Sequence, residues 1–289
     1  MLETAPREGL TEELAGLDAL ELADRNRVSR THRIWSATWP KVAAVAIALG
    51  LWQLVVWSGW KPEYVLPGPA KVAGELRDEI ADGRLQRALW LTLGRAARGY
   101  AIAIVIGVAV GSIVASSKIV RSAFGSFITG LQTMPSVAWF PLALLLFKRS
   151  EAAILFVVVL GAAPSIANGL LSGIDQIPPL YLRAGRVLGA RGLTLYRRVI
   201  LPAALPGFVG GMKQGWAFAW RSLMAGELIV IIAGHQSIGV LMQNARDFSD
   251  APALMASMVV ILTVGIVVDA VFFAGLERTI RRRRGLLAR

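Results

Sequence analysis

Six charged side chains stand in or beside stretches otherwise apolar enough for hydrocarbon: Arg95, Arg98, Lys213, Arg221, Glu227 and Asp269. A charge at the centre of a bilayer costs about 2.5–3.5 kcal/mol unless it is paired, snorkelled or open to a water-filled path. Two roles meet that cost. The charges can tie helices together, or Arg95, Arg98 and Arg221 can give a central path the positive potential that attracts an anion. The spacing of Arg95 and Arg98 predicts one shared helix face, at the outer end of an apolar segment and within reach of Glu227. Lys213 and Asp269 fall at matching depths in separate apolar segments, and a pair between them is expected.

Little other chemistry is open to the chain. It has no cysteine, which excludes disulfides, thiolate metal sites and a cysteine nucleophile. His32 and His235 are too far apart in sequence to suggest a metal site, and no His/Asp/Glu group forms a catalytic constellation. No GxxxxGK[ST] sequence occurs, so the chain has no P-loop of its own for ATP. Neither enzymatic activity nor a bound cofactor or metal is expected.

Proline and small residues mark where the apolar segments depart from plain lipid-facing helix. "QTMPSVAWFPLALLLF" sets Pro135 and Pro141 inside an apolar run with Trp139 between them. Proline breaks the helical ladder, and the carbonyls it frees are tolerated only against protein or water. Pro135 and Trp139 are therefore expected to line or gate a path. "GVAVG" at 107–111 and the cluster Gly210, Gly211 and Gly215 suit close helix packing. Trp216 and Trp220, at i and i+4, share a face suited to packing.

"RAGRVLGARGLTLYRRVILP", from Arg183 to Pro202, is neither apolar nor loop-like. Pro178 and Pro179 suit the first turn of a helix. Two short helices, Tyr181–Leu188 and Leu193–Ile200, are expected around a bend at Gly189. A basic surface of this kind suits docking into the groove of a partner.

The elements that must position these residues are membrane helices. The 289-residue chain is 55% hydrophobic and 17% charged, and its apolar residues come in runs near bilayer length. "AILFVVVLGAA" and "MVVILTVGIVV" have no polar face, which a soluble helix would need. Spans are expected near 41–59, 98–117, 123–147, 152–174, 204–233 and 252–275, giving an all-α integral membrane protein of about six transmembrane helices. A tail at 1–40 begins with acids, unlike a signal peptide. Its Leu10, Leu14, Leu17 and Leu20 allow a short amphipathic helix, with disorder as the alternative. The first span and a polar segment fill 41–87, the main transmembrane domain fills 88–275, and a basic tail fills 276–289.

The net charge of +12 is unevenly distributed along the chain. Lysine and arginine concentrate in the first 41 residues, at 118–121, at 175–200 and after 278. The positive-inside rule then places both termini in the cytoplasm. "RRRR" at 281–284 abuts an apolar helix, which favours a lipid-headgroup anchor over nucleic acid binding.

The segment at 183–202 resembles the cytoplasmic loop of ABC importer permeases, whose pattern runs EAA, three residues, Gly, nine residues, Ile-x-Leu-Pro. Arg183-Ala184-Gly185 stands at EAA, Gly189 at the glycine, and Val199-Ile200-Leu201-Pro202 at the close. Arg183 in place of the acid departs from the pattern. Lys148 is a second departure, where many members have glycine. "VLPGPAKV", "LTLGRAARGYAIAIVIGVAVGSIVA", "GAAPSIANGLLSGI", "GMKQGWAFAWRSLMAGELI" and "SIGVLMQNARDF" extend the resemblance over roughly 60 to 280. They follow the order seen in the permeases for aliphatic sulfonates, taurine and nitrate.

The resemblance implies a type I ABC importer permease fold with a cytoplasmic coupling helix at 178–202, carried by Arg183, Ala184, Gly185, Gly189, Leu201 and Pro202. It implies a bacterial inner-membrane location. The implied partners are a cytoplasmic ABC ATPase dimer that binds Mg-ATP, a second, identical permease chain, and an extracytoplasmic solute-binding protein. The path would be formed by Arg95, Arg98, Pro135, Trp139, Arg221 and Glu227. The expected solute is an aliphatic sulfonate or taurine, with nitrate, bicarbonate, or a vitamin or pyrimidine precursor as same-family alternatives. A secondary transporter without an ATPase is the alternative of a different class, against which stands the lack of a convincing inverted repeat.

Overall fold

The computed structural model describes residues 30–283, so the leucine pattern at 10–20 and the last basic residues lie outside it. Regular structure among the described residues is entirely helical. The chain divides into two compact units between Pro69 and Ala70.

The first unit holds α1, Arg30–Trp57, with Pro40 inside it. The helix begins earlier than the expected 41, because a polar stretch extends it ahead of the apolar run. It ends before Gly59, whose φ of 67° only glycine adopts freely. Trp52 Nε1 donates to the Pro67 carbonyl at 3.1 Å and ties the following loop back onto the helix.

Leading into the second unit is α2, Pro69–Ala81, a short amphipathic helix that has proline in its first turn. Glu79 on this helix is buried, and burial together with Glu75 pushes its carboxyl above the usual carboxylate range. Gly83, at φ 68°, turns the chain into α3, Arg84–Ser116. At 33 residues α3 is about 50 Å long, more than a span requires. A single extended residue, Ser117, then leads into α4, Lys118–Thr133.

After α4 come Pro135, a 3₁₀ turn at Ser136–Trp139 and α5, Phe140–Phe147. The chain bends there by 100°. The expected span at 123–147 is therefore a broken pair rather than one rod, because Pro135 withholds a ladder donor and its predecessor Met134 is held extended.

Next are α6, Glu151–Asp175; α7, Pro179–Val187; and α8, Gly192–Leu195. From α8 the chain winds through a π turn at Tyr196–Ile200 straight into α9, Leu201–Ile229. The expected stop at Ile200 does not occur. Pro202 follows directly on the π turn, where the i→i−4 ladder is already interrupted, so its missing N–H costs little. α10, Ile238–Asp247, is a helix that the sequence reading does not predict; Ser237 caps it by accepting from the Val240 N–H. α11, Ala251–Val267, is capped by Asp250 and continues through a second π turn, Val268–Phe273, into α12, Ala274–Arg283.

Among the described residues, four helices are long and apolar enough to cross a membrane, and the bent pair would make a fifth span. The sixth expected span is α9. Its 29 residues suffice in length, but Lys213, Gln214, Arg221 and Glu227 dilute its apolar character.

α6 lies between α3 and α9, and glycines set both contacts. Gly107 and Gly111 of α3 face α6: a Cβ at Gly107 would come within 2.8 Å of the Ala163 carbonyl oxygen, and one at Gly111 within 3.1 Å of that of Ala167. On the other side, a Cβ on Gly169 of α6 would meet the Gly211 nitrogen at 2.9 Å. Backbones this close gain dispersion along their whole contact, which is how helices associate where no hydrophobic effect drives them. Tyr100 donates to the Met212 carbonyl at 2.7 Å and stands edge-on to Trp216, which stacks on Trp220.

Candidate functional site

The end of the second unit where α3, α6 and α12 finish and α4 and α9 begin is termed the basic end, and the opposite end the far end. The predicted path residues separate into groups between them.

Pro135, Trp139 and Arg221 share a cleft of about 380 Å³, walled also by Gln132, Thr133 and Phe218. The bend at Pro135 opens this space by turning α5 away from α4. Arg221 projects from α9 into it. Its guanidinium lies 4.6 Å from the Phe218 ring centre, and its Nε donates to its own helix at the Ala217 carbonyl. No carboxylate among the described residues pairs with it. Such a cation offers several N–H donors in a fixed fork to a planar or tetrahedral oxyanion.

Arg95 and Glu227 are elsewhere, inside a buried cluster toward the far end. Arg95 Nη1 lies 2.9 Å from Glu227 Oε1, and its Nε and Nη2 donate to Glu151 at 3.0 and 2.5 Å. Arg95 is 1% exposed and Glu227 is fully buried. The other carboxylate oxygen of Glu227 accepts from the Gly239 N–H at 3.1 Å, and Thr92 joins Glu227 to the Ile238 N–H. Four helices, α3, α6, α9 and α10, thus meet on one guanidinium and two carboxylates. With its donors engaged and its charge matched, Arg95 has little left to offer a passing anion.

Arg98 is not buried with Arg95. It is exposed and donates to the Gly94 carbonyl of its own helix. They lie about 60° apart round α3, and α6 covers only the Arg95 side of that arc. Lys213 and Asp269 pair at 3.0 Å, both half-exposed, in a wide groove between α9 and α11 whose walls include Trp216, Trp220 and Met224.

At the basic end, α7 and α8 form the expected bent pair. Gly189 adopts φ 83° with open space around it, and Gly192 adopts φ 52°. Arg183, Ala184 and Leu201 are exposed, as is Pro202 in the first turn of α9. Gly185 is buried instead: a Cβ there would press on Leu195 at 2.9 Å and Val199 at 3.0 Å. It holds α7 against α8 while Arg183, Arg186 and Leu188 face outward.

Three groups of functional interest escape a reading of the sequence. Glu151 is the second acid on Arg95; its position in the first turn of α6, after the turn containing Lys148, is the available signal. Arg121 pairs with Asp175 across α4 and α6. Gln132 donates to Ser165 and accepts from Asn168 at 3.3 and 3.2 Å.

A family model described as the inner membrane component of binding-protein-dependent transport systems matches residues 103–283. A probable ABC transporter permease protein of Brucella melitensis is 29% identical over 233 residues, covering 81% of this chain and 92% of that protein. A nitrate import permease protein of a Synechocystis strain is 28% identical, covering 82% and 89% respectively. A bicarbonate transport system permease protein of Synechococcus elongatus is 29% identical, covering 83% and 88%. Among solved structures, an inward-facing methionine ABC transporter matches with a TM-score of 0.57 at 20% identity, over 68% of this chain and 96% of that one.

Proposed function

Because this chain belongs to the family of binding-protein-dependent transport system inner membrane components, as an integral inner-membrane permease subunit of an ABC importer, we propose that it forms the path for a small oxyanion. The observation that carries this reading is Arg221, a cation that no carboxylate among the described residues pairs with, in a cleft with Pro135 and Trp139. The relatives named for nitrate and bicarbonate import put those ions beside the sulfonates and taurine, and all share the oxyanion head that a guanidinium fork recognises. In this reading Arg95 and Glu227 hold the far end together, and Arg98 is a second, more exposed cation toward the same end.

The sequence holds no P-loop, and in this reading a separate cytoplasmic ATPase dimer binds Mg-ATP and docks on α7 and α8. A second copy of the permease completes the path, an extracytoplasmic binding protein delivers the solute, and both termini are cytoplasmic. Closure of the ATPase dimer pushes the α7–α8 segment and switches access between the two sides.

The test is uptake by the assembled transporter. Arg221→Ala is expected to lower oxyanion uptake about ten-fold or more, roughly 1.4 kcal/mol, with the amount of inserted protein unchanged. Arg221→Lys keeps the charge but loses the fork, and should recover part of the loss. Uptake at the wild-type rate in Arg221→Ala would overturn the assignment.

Gly189→Val tests the docking segment. A β-branched residue at φ 83° is strained by about 1–2 kcal/mol or more, yet meets no neighbour. The expected result is an inserted permease whose partner ATPase no longer responds to solute. Normal solute-stimulated ATP hydrolysis would refute the docking role.

A further inference from the structure

α4 carries polar side chains along one face, Ser122, Ser126, Thr129 and Gln132, at helical spacing. α6 answers with Ser165, Asn168, Ser172 and Asp175, also spaced by three and four residues. The opposite face of α4 bears Phe124 and Phe127, the latter 61% exposed, as a lipid-facing surface would. A helix at membrane depth gains nothing by turning hydroxyls and amides to hydrocarbon. Between the two polar faces lies a cleft of about 610 Å³, running from Asn168 and Thr129 to the basic end. Its inner limit is the hydrogen-bonded group Gln132–Asn168–Ser165, and Gln132 also walls the Arg221 cleft. Its outer limit is the Arg121–Asp175 ion pair.

We propose that this α4–α6 cleft is a hydrated exit lane for a small oxyanion leaving the Arg221 cleft, closed at the basic end by the Arg121–Asp175 pair. It rests on the oxyanion-permease reading above. Hydroxyls and amides supply weak, replaceable donors, which let an anion move on where a fixed cation would hold it. Asp175 keeps the charge of Arg121 occupied while the pair is made. When the pair parts, Arg121 becomes the last cation the anion meets before water.

The chain has no cysteine, so single-cysteine variants report accessibility without a background. Full-length Ser126→Cys, Thr129→Cys and Phe127→Cys, assembled with their partners in inverted membrane vesicles, are treated with an anionic sulfonatoethyl methanethiosulfonate. Thiol reaction needs a water-exposed thiolate, so Ser126→Cys and Thr129→Cys should react about ten-fold faster than Phe127→Cys. Adding Asp175→Asn should speed the Ser126→Cys reaction several-fold by opening the basic end. Rates at 126 and 129 no faster than at 127 would overturn the lane, and an unchanged rate with Asp175→Asn would overturn the closure. Ser122→Cys, nearer the basic end, serves in place of either polar-face variant that fails to insert. The readout needs no solute. Reactive thiols in a transporter that takes up no oxyanion would sink the functional reading and leave the lane. Oxyanion uptake with unreactive thiols would do the reverse.

Discussion

Arg95→Ala should be among the most damaging single changes in the protein, costing about 3–5 kcal/mol of stability. The substitution leaves Glu227 fully buried beside an unpaired Glu151, with the Thr92 hydroxyl and the Gly239 N–H as the remaining support near the charge. Coulomb repulsion and desolvation then act in the same direction. The order of severity follows burial: Arg95→Ala and Glu227→Ala exceed Glu151→Ala, because Glu151 is 31% exposed and water can take over part of its solvation. The triple variant Arg95→Met, Glu151→Gln, Glu227→Gln should recover much of the loss. An amide oxygen at position 227 would still accept the Gly239 N–H, and no net charge would remain buried. Thermal unfolding of the detergent-solubilised protein measures all of these. If Arg95→Ala unfolds like the wild type but fails in uptake, Arg95 belongs to the path and the cluster is not a tie.

Gly211→Val should cost several kcal/mol, or prevent assembly of the bundle, whereas Gly210→Val next to it should be near neutral. A Cβ at Gly211 would run into the Gly169 nitrogen at 3.1 Å and overlap the backbone of α6, and no rotamer change can relieve a clash with backbone. The helices must separate instead, which forfeits packing along the whole α6–α9 contact; overpacking in a core costs about 1–3 kcal/mol even where side chains can give way. Gly210 has nothing within 4 Å. The pair is therefore an internal control, identical in residue type and one position apart. Equal stability of the two variants would show that α6 and α9 do not approach as described.

Much of this is legible because membrane depth is encoded in chain position. Distance from the ends of apolar runs matches Lys213 with Asp269, and the structure pairs them. The same reasoning puts Glu227 within reach of Arg95 or Arg98, and it lies against Arg95. Gly107, Gly111, Gly211 and Gly215 announce close contacts, and each faces α6, whereas Gly210, expected in the same cluster, meets nothing within 4 Å. The positive φ of Gly189 matches the expected bend. What chain position does not encode is rotation about helix axes. One face is expected to hold both Arg95 and Arg98, but α6 covers only the first of them. The polar faces of α4 and α6 are hard to see in sequence because each is diluted by apolar neighbours and becomes a cleft only when the helices are set side by side. Pro135 foreshadows the 100° bend, but its size depends on what the two arms pack against.

The π turns at Tyr196–Ile200 and Val268–Phe273 each hold one residue more than an α-turn would, on the two helices joined by Lys213 and Asp269. An extra residue in a continuous helix is a phase shift: everything beyond it is turned by about 100° and advanced by about 1.5 Å without a break in the rod. Both surpluses lie toward the basic end, and the second contains Asp269 itself. A surplus residue can be passed along a helix by exchanging hydrogen bonds one at a time, like a ruck moved along a carpet. A push delivered at α8 would then reach Lys213 as a twist of α9 rather than a lift, and its first cost would be the half-exposed ion pair with Asp269.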